Sequence, residues 1–469
     1  MEKLDVDAIA TEVASGNFSD KRLVTRLDSL VRSIASNPSA SLPGALTSAE
    51  LEGAYRFFSN VRVTPEAILA PHFQSTKQRA EAEQRVLVLH DQTWFSYRPD
   101  GKRRFGKGRA GPSSDGFAGF AGHFSLVVSA DGSRKPLGLI GVETWERGES
   151  KQPEQAYWCS EVEATSQRLG LQSKPIHVAD RGAEDYVLFH DLMAADHRFV
   201  LRVGNRYTES GPGGSHVRLR DVLSTIERVC EREAKINRRK HHSRKALRKI
   251  HPPREVRTVT LHIAATRVVL ARPPGSSPDT KARLATLPKT IELNVVRVWE
   301  PNPPENTEPV EWFLFTNEPI DSESNACAVV DHYRARWTIE EYFKALKTGC
   351  AFEKRQLHDY ESLVNALGVF APIAYHVLLL RTQARDNPDA PASTVVSDDH
   401  IAVLRVLGRR KLPEQPTARD ALLAVAALGG HIKYAPDPGW LTIARGFEKL
   451  EFLTQGWKAA KLHQASDQR

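Results

Sequence analysis

Two aspartates close short apolar runs: Asp91 ends QRVLVLHD and Asp180 ends KPIHVAD. In open α/β sheets, sites form outside strand ends, so the two carboxylates meet if their strands are neighbours. With a third carboxylate they would hold two Mg²⁺ ions about 3.5–4 Å apart, an arrangement suited to phosphoryl transfer. Aspartate at a strand end is also a common turn or cap residue, so the pair needs a third member to carry meaning. The segment NACAVVDHYRARWTIEEYFKALKTG offers one. Read as one long helix, it sets Tyr333, Arg336, Glu340 and Lys347 within a sector of about 60°. Ile339, Phe343 and Leu346 take the adjacent sector and face the core, while Glu341 points away from Arg336 and from the apolar stripe. Glu340 is therefore the carboxylate placed to reach the sheet. The plainer alternative is a solvated helix face with an Arg336–Glu340 pair, worth about 0.2–0.5 kcal/mol.

The elements that must position these residues follow from patterning. Up to about Ser75 the chain reads as helices with polar breaks; DKRLVTRLDSLVRSIA repeats Leu, Val and Ile at helical spacing. Arg22 and Arg26 are four apart and share a face. Thr47 or Ser48 is the expected N-cap of TSAELEGAYRFFSN. From residue 84 the character changes. QRVLVLHD, HFSLVVSADG and KPLGLIGVETW read as strands, AYWCSEVEATSQRLGL as a helix and KPIHVAD as a strand. GAEDYVLFHDLMAA is then helical, and HRFVLRVG is a fifth strand. This order predicts an α/β fold with a mixed sheet. Residues from about 206 to 305 read as a largely β insertion led by a basic, helical-looking run, CEREAKINRRKHHSRKALRKIHPPREVR. The strand EWFLFTNEP returns to the core, and helices follow beyond about 390. Three domains are expected: 1–75, 76–388 and 389–469.

The chain has 469 residues with 65 Lys+Arg against 57 Asp+Glu, a formal net charge of +8. That surplus suits a polyanionic partner. Cys159, Cys230, Cys327 and Cys350 are dispersed, which argues against a zinc site or a disulfide framework and for a reduced cytosol. MEKLDVDAIATEVA does not read as a signal peptide, and no apolar run is expected to reach the length of a membrane span. Gly101–Lys107 has the Gly and Lys spacing of a P-loop, but Gly108 stands where Ser or Thr must hold Mg²⁺. It reads as a basic surface loop, with no nucleotide cofactor. The run 235–257 is a candidate DNA-backbone contact with salt-dependent affinity.

The segment YRARWTIEEYFKALK matches the Tyr-(2)-Arg-(3)-Glu-(6)-Lys signature of the insertion-sequence-four group of DDE transposases, and the chain resembles that group. LHDQTWFSYR and IHVADRGAEDY resemble the regions of the family's two aspartates, which map onto Asp91 and Asp180. ELEGAYRFFSN resembles a motif of its N-terminal DNA-binding domain. EWFLFTNEP resembles the strand whose tryptophan stacks on a flipped base, which maps onto Trp312. The resemblance implies a ribonuclease-H-like catalytic core, interrupted by the β insertion and flanked by helical N-terminal and C-terminal domains. It implies catalytic roles for Asp91, Asp180, Glu340, Tyr333, Arg336 and Lys347, the three carboxylates holding two Mg²⁺ ions, with Mn²⁺ substituting. It implies DNA contacts at Arg22, Arg26, Tyr55, Arg56, Arg202, Trp312 and Lys344. The expected partners are double-stranded DNA, as transposon ends and target, and a second copy in a homodimer on DNA, with no membrane. The expected place is the bacterial cytoplasm, at the nucleoid. The implied reaction is cut-and-paste transposition through nicking, hairpin formation and opening, and strand transfer. A nuclease that cuts without joining, or a DNA-binding protein without catalysis, are the competing readings.

Overall fold

The computed structural model describes residues 4–97, 118–146, 154–209, 216–236, 253–275, 278–305, 307, 309–432 and 437–467. The candidate P-loop and residues 237–252 of the basic run lie outside the described residues.

The N-terminal helices are α1 (Val6–Val13), α2 (Lys21–Ser36), α3 (Leu42–Ala45), α4 (Ser48–Phe58) and α5 (Pro65–Glu81). Leu27, Leu30, Val31 and Ile34 bury one stripe of α2, as helical periodicity dictates. Thr47 caps α4 in a reciprocal capping box with Glu50. The expected boundary at residue 75 falls inside α5. One continuous apolar core includes residues from Leu4 to Leu450. A backbone bond from Leu4 N–H to Val395 C=O, 2.9 Å, ties the first residues described to the segment that follows α12 (Tyr360–Asp386).

The centre is a nine-stranded sheet built from β1 (Val86–Tyr97), β2 (Ala118–Ser129), β3 (Pro136–Glu146), β4 (Ile176–Ala179), β5 (Arg198–Val203), β8 (Cys230–Ile236), β9 (Arg257–Ala271), β10 (Thr290–Trp299) and β11 (Glu311–Thr316). Two-residue strands β6 (Tyr207–Thr208) and β7 (Val217–Arg218) form a separate ribbon. The order in the large sheet is β3-β2-β1-β4-β5-β11-β10-β9-β8. β1 and β4, and β4 and β5, run parallel; the other neighbours are antiparallel. The fold is α/β with a mixed sheet. The β insertion widens this sheet, adding β8–β10 beyond β11.

Two expectations fail here for the same physical reason. The head of the basic run, CEREAKI, is strand β8 rather than helix. Its Glu, Arg and Lys favour helix locally, but antiparallel pairing with β9 overrides that weak preference. Asp91 was placed just past a strand end, yet β1 continues six residues to Tyr97 because Thr93, Phe95 and Tyr97 alternate as buried residues along β2.

One face of the sheet is covered by helices α6 (Glu154–Leu169) and α7 (Tyr186–Ala194). Short helices α8 (Leu219–Ser224) and α9 (Pro278–Ala285) belong to the insertion. The other face meets α10 (Glu323–Ala335), α11 (Trp337–Lys344) and α12 (Tyr360–Asp386). The last of these corrects the expectation about apolar runs. Residues 363–380 contain no charged side chain, and α12 is long and apolar enough to span a membrane. Its apolar window is wholly buried, however, so it serves as the central helix of the core. Helices α13 (Asp398–Leu407), α14 (Ala418–Leu428) and α15 (Trp440–Asp467) close the fold.

Candidate active site

Strand alternation sorts the side chains. Leu87 and Leu89 of β1 belong to the core beneath α10–α12, and Asp91 follows them on that face. β1 pairs with β4 only from Leu87 to Leu89, so Asp91 stands where β1 outruns its parallel neighbour. Asp180 immediately follows β4, and its carboxylate accepts the Gly182 N–H at 2.9 Å, capping a short 3₁₀ turn. The cap role weighed from sequence is thus real, and it fixes where the carboxylate sits.

The expected single helix from 325 to 349 is broken. α10 ends at Ala335, Arg336 forms the joint, and α11 passes into a π-helical turn over Ala345–Gly349. A π turn spends an extra residue per turn, so Lys347 leaves the phase that one continuous α-helix would have given it. It donates instead to the Trp94 carbonyl on β1 and lies 3.6 Å from Glu353. Burial lowers the Lys347 ammonium from its ordinary value, with Glu353 opposing.

Arg336 is the hub of the site. It donates to Asp91 at 3.0 Å and, with its second nitrogen, to Glu340. The Arg336–Glu340 pair is therefore present, but the same guanidinium also reaches Asp91, 245 positions away in the chain. Burial, the largest influence, pushes the Asp91 carboxyl up to about 7; Arg336 pulls it down while Asp180 and Glu340 add to the rise. Burial opposes the charge of Arg336, yet Tyr333, Asp91, Glu340 and Asp180 hold it above its usual value. Asp91, Asp180 and Glu340 thus share one electrostatic neighbourhood. Glu341 is buried on the other side of α11 and paired with Arg385 at 2.8 Å.

Tyr333 is buried edge-on against Trp312, with ring centroids 5.5 Å apart. Arg202 on β5 registers with Leu314, two residues from Trp312; its buried Nε has no hydrogen-bond partner among the described residues. Lys344 lies over the half-exposed ring of Trp337 at 4.9 Å. Trp337 and Glu353 were not singled out from sequence; the position of Trp337 beside Arg336 was the available signal, and nothing in the sequence tied Glu353 to Lys347. Arg22, Arg26, Tyr55 and Arg56 lie on α2 and α4, not on the elements that carry the carboxylates. Arg22 pairs with Asp20, Arg56 with Glu52, and Arg26 packs against Gly53. Tyr55 is exposed.

Among the described residues, no three His, Cys, Asp or Glu side chains are grouped tightly enough to hold a metal ion as they stand. The donor chemistry nevertheless fits a hard divalent cation: three carboxylates, all oxygen donors, one of them made proton-hungry chiefly by burial, with the other two adding to the rise. The positive charge they demand is supplied by Arg336.

Fold and site together define a mixed-sheet α/β protein with a partly buried carboxylate–guanidinium cluster where the parallel pairing of β1 and β4 ends, bordered by cations and aromatic rings. Residues 5–63 match the family described as transposase DNA-binding, and residues 160–371 match the transposase DDE domain. The chain thus carries a transposase DNA-binding domain followed by a transposase DDE domain. The DDE match contains Asp180, Glu340 and the hub Arg336 but stops short of Asp91, which the fold brings to them. Among solved structures, the piggyBac transposase synaptic complex with hairpin DNA is similar at 11% identity and a TM-score of 0.29, over 64% of this chain. The match covers 48% of that chain, so about half its length, and so weak a superposition carries no argument.

Proposed function

We propose that this protein is a cut-and-paste DNA transposase of the insertion-sequence-four group, resembling the transposase of transposon Tn-five. Its three acids would be Asp91, Asp180 and Glu340. The observation that carries the reading is the double bridge of Arg336 to Asp91 and Glu340, with Asp180 close enough to raise the Asp91 carboxyl. The Tyr333-Arg336-Glu340-Lys347 spacing supports the group, and the order β3-β2-β1-β4-β5, three antiparallel strands then two parallel, supports a ribonuclease-H-like core.

Asp91, Asp180 and Glu340 would hold Mg²⁺, with Mn²⁺ as a substitute. A bound metal pair would activate the attacking oxygen and neutralise the leaving one in each in-line displacement. Arg336 keeps the acids apart from one another's repulsion and offers donors to a phosphate. Arg202, with its unpartnered Nε, and Lys347 would grip the backbone near the cut, positioning rather than reading sequence. Trp312, backed by Tyr333, is the proposed platform for a base extruded at the hairpin. The DNA-binding domain would hold the transposon end through α2 and α4, two copies pairing on DNA in the bacterial cytoplasm.

The test uses DNA ends carrying the inverted repeats that flank the gene. With Mg²⁺ the protein should nick, form hairpins and join pre-cut ends to plasmid. Asp91→Asn, Asp180→Asn and Glu340→Gln should each abolish cleavage while end binding survives. Cleavage without joining would favour a nuclease, and normal cutting by a variant would remove that residue from the site.

A further inference from the structure

On the sheet face opposite the carboxylates lies a buried row of imidazoles that the proposed chemistry does not use. His123 Nε2 lies 3.2 Å from His90 Nδ1, and His90 Nε2 lies 2.9 Å from His177 Nδ1. His177 Nε2 meets Ser166 Oγ at 2.9 Å, Ser166 Oγ meets His197 Nδ1 at 3.4 Å, and His197 Nε2 meets Glu163 at 2.9 Å. His90, His123 and His177 are almost wholly buried.

With every imidazole neutral, the carboxylate at one end sets a single direction for the bonds. Glu163 accepts from His197, which accepts from Ser166, which accepts from His177; His177 accepts from His90, and His90 from His123. Ser125 Oγ, 3.1 Å from His90 Nδ1, has Glu161 as its own acceptor at 3.4 Å. Burial holds His123 and His177 down at about 3, so these rings are neutral, as such a ladder requires.

Its placement is what matters. His90 immediately precedes Asp91, and His177 lies three residues before Asp180. The two rings join β1 to β4, strands paired over only three residue pairs, of which β4 supplies a four-residue strand. We propose that the His90–His177 bond fixes the register of β1 against β4 and thereby the separation of Asp91 and Asp180, making both histidines positioning residues for the metal site. The proposal rests on reading those aspartates as metal ligands. A slip that keeps each side chain on its own face is two residues, about 6–7 Å of strand. That exceeds the roughly 4 Å separation of a working metal pair. The slip would also strand buried imidazole nitrogens without partners, which is why the polar ladder discriminates against it where an apolar contact would not.

The experiment measures Mn²⁺ affinity by electron paramagnetic resonance on the full chain, with folding checked by near-ultraviolet circular dichroism. His177→Leu should weaken Mn²⁺ about tenfold or more, within the range for residues that orient ligands. His177→Asn, whose amide retains a polar atom near the Nδ1 position, should recover most of that loss. If His177→Leu does not fold, Ser166→Ala, which frees the His177 ring, should weaken Mn²⁺ several-fold. Wild-type affinity in whichever of these variants folds would overturn the proposal, as would a His177→Asn no better than His177→Leu. If Asp91→Asn and Asp180→Asn bind Mn²⁺ as the wild type does, the reading of the site fails instead.

Discussion

Holding Asp91 beside Asp180 and Glu340 stores a cost that should be measurable without any substrate. The perturbation is Asp91→Asn, studied with metal chelated. The carboxyl goes from an unfolded value near 3.9 to about 7 in the fold, chiefly through burial. At about 1.36 kcal/mol per tenfold, the charged form costs up to roughly 4 kcal/mol of stability. The sign follows from proton binding. Between 3.9 and 7 the folded state binds the proton more tightly than the unfolded one. The stability Asp91 contributes is therefore complete below pH 3.9 and is lost as pH rises through 7. Asparagine mimics the neutral form, so the variant should match the wild type near pH 4 and exceed it by about 2–4 kcal/mol at pH 8. Urea denaturation in chelator from pH 4 to 9, followed by tryptophan fluorescence, reads the difference directly. A gap that does not change with pH, or a variant less stable than the wild type at pH 8, would refute the reasoning.

Other outcomes follow from individual contacts. His123→Phe removes a ring held neutral down to about 3 against about 6.5 when unfolded, so the wild type loses stability from this ring as pH falls from 6.5 towards 3. The acid limb of the variant's denaturation curve should be flatter, and an unchanged limb would contradict the assignment. Arg385→Ala leaves Glu341 buried without its partner; discounted for the exposed arginine, the loss should be roughly 2 kcal/mol in urea. An unchanged midpoint would show that the pair contributes nothing. Trp312→Ala should leave first-strand nicking intact but cut hairpin yield by about tenfold or more, from a base-stacking loss of roughly 1–3 kcal/mol. Equal loss of nicking would assign Trp312 to the core instead.

The sequence showed most where chemistry and periodicity coincide. Asp180 was legible because a short apolar run stops at it. Glu340 was separated from Glu341 by helical phase alone, and the two indeed face different partners, Arg336 and Arg385. Three features were not legible, each because it depends on tertiary structure. CEREAKI becomes a strand only because β9 is available to pair with it. The π turn at Ala345–Gly349, which carries Lys347 towards Trp94, has no residue that announces it. The stretch inside α12 without Asp, Glu, Lys or Arg suits a core helix and a membrane span equally, and only packing shows that it is central to the core.

The central claim is that carboxylates remote along the chain converge on bound cations. Anomalous diffraction from crystals of the protein with end DNA and Mn²⁺ addresses it most directly. Manganese peaks should contact Asp91, Asp180 and Glu340, with Arg336 displaced from between Asp91 and Glu340. Peaks bound elsewhere, with Arg336 still bridging the two acids, would contradict the account.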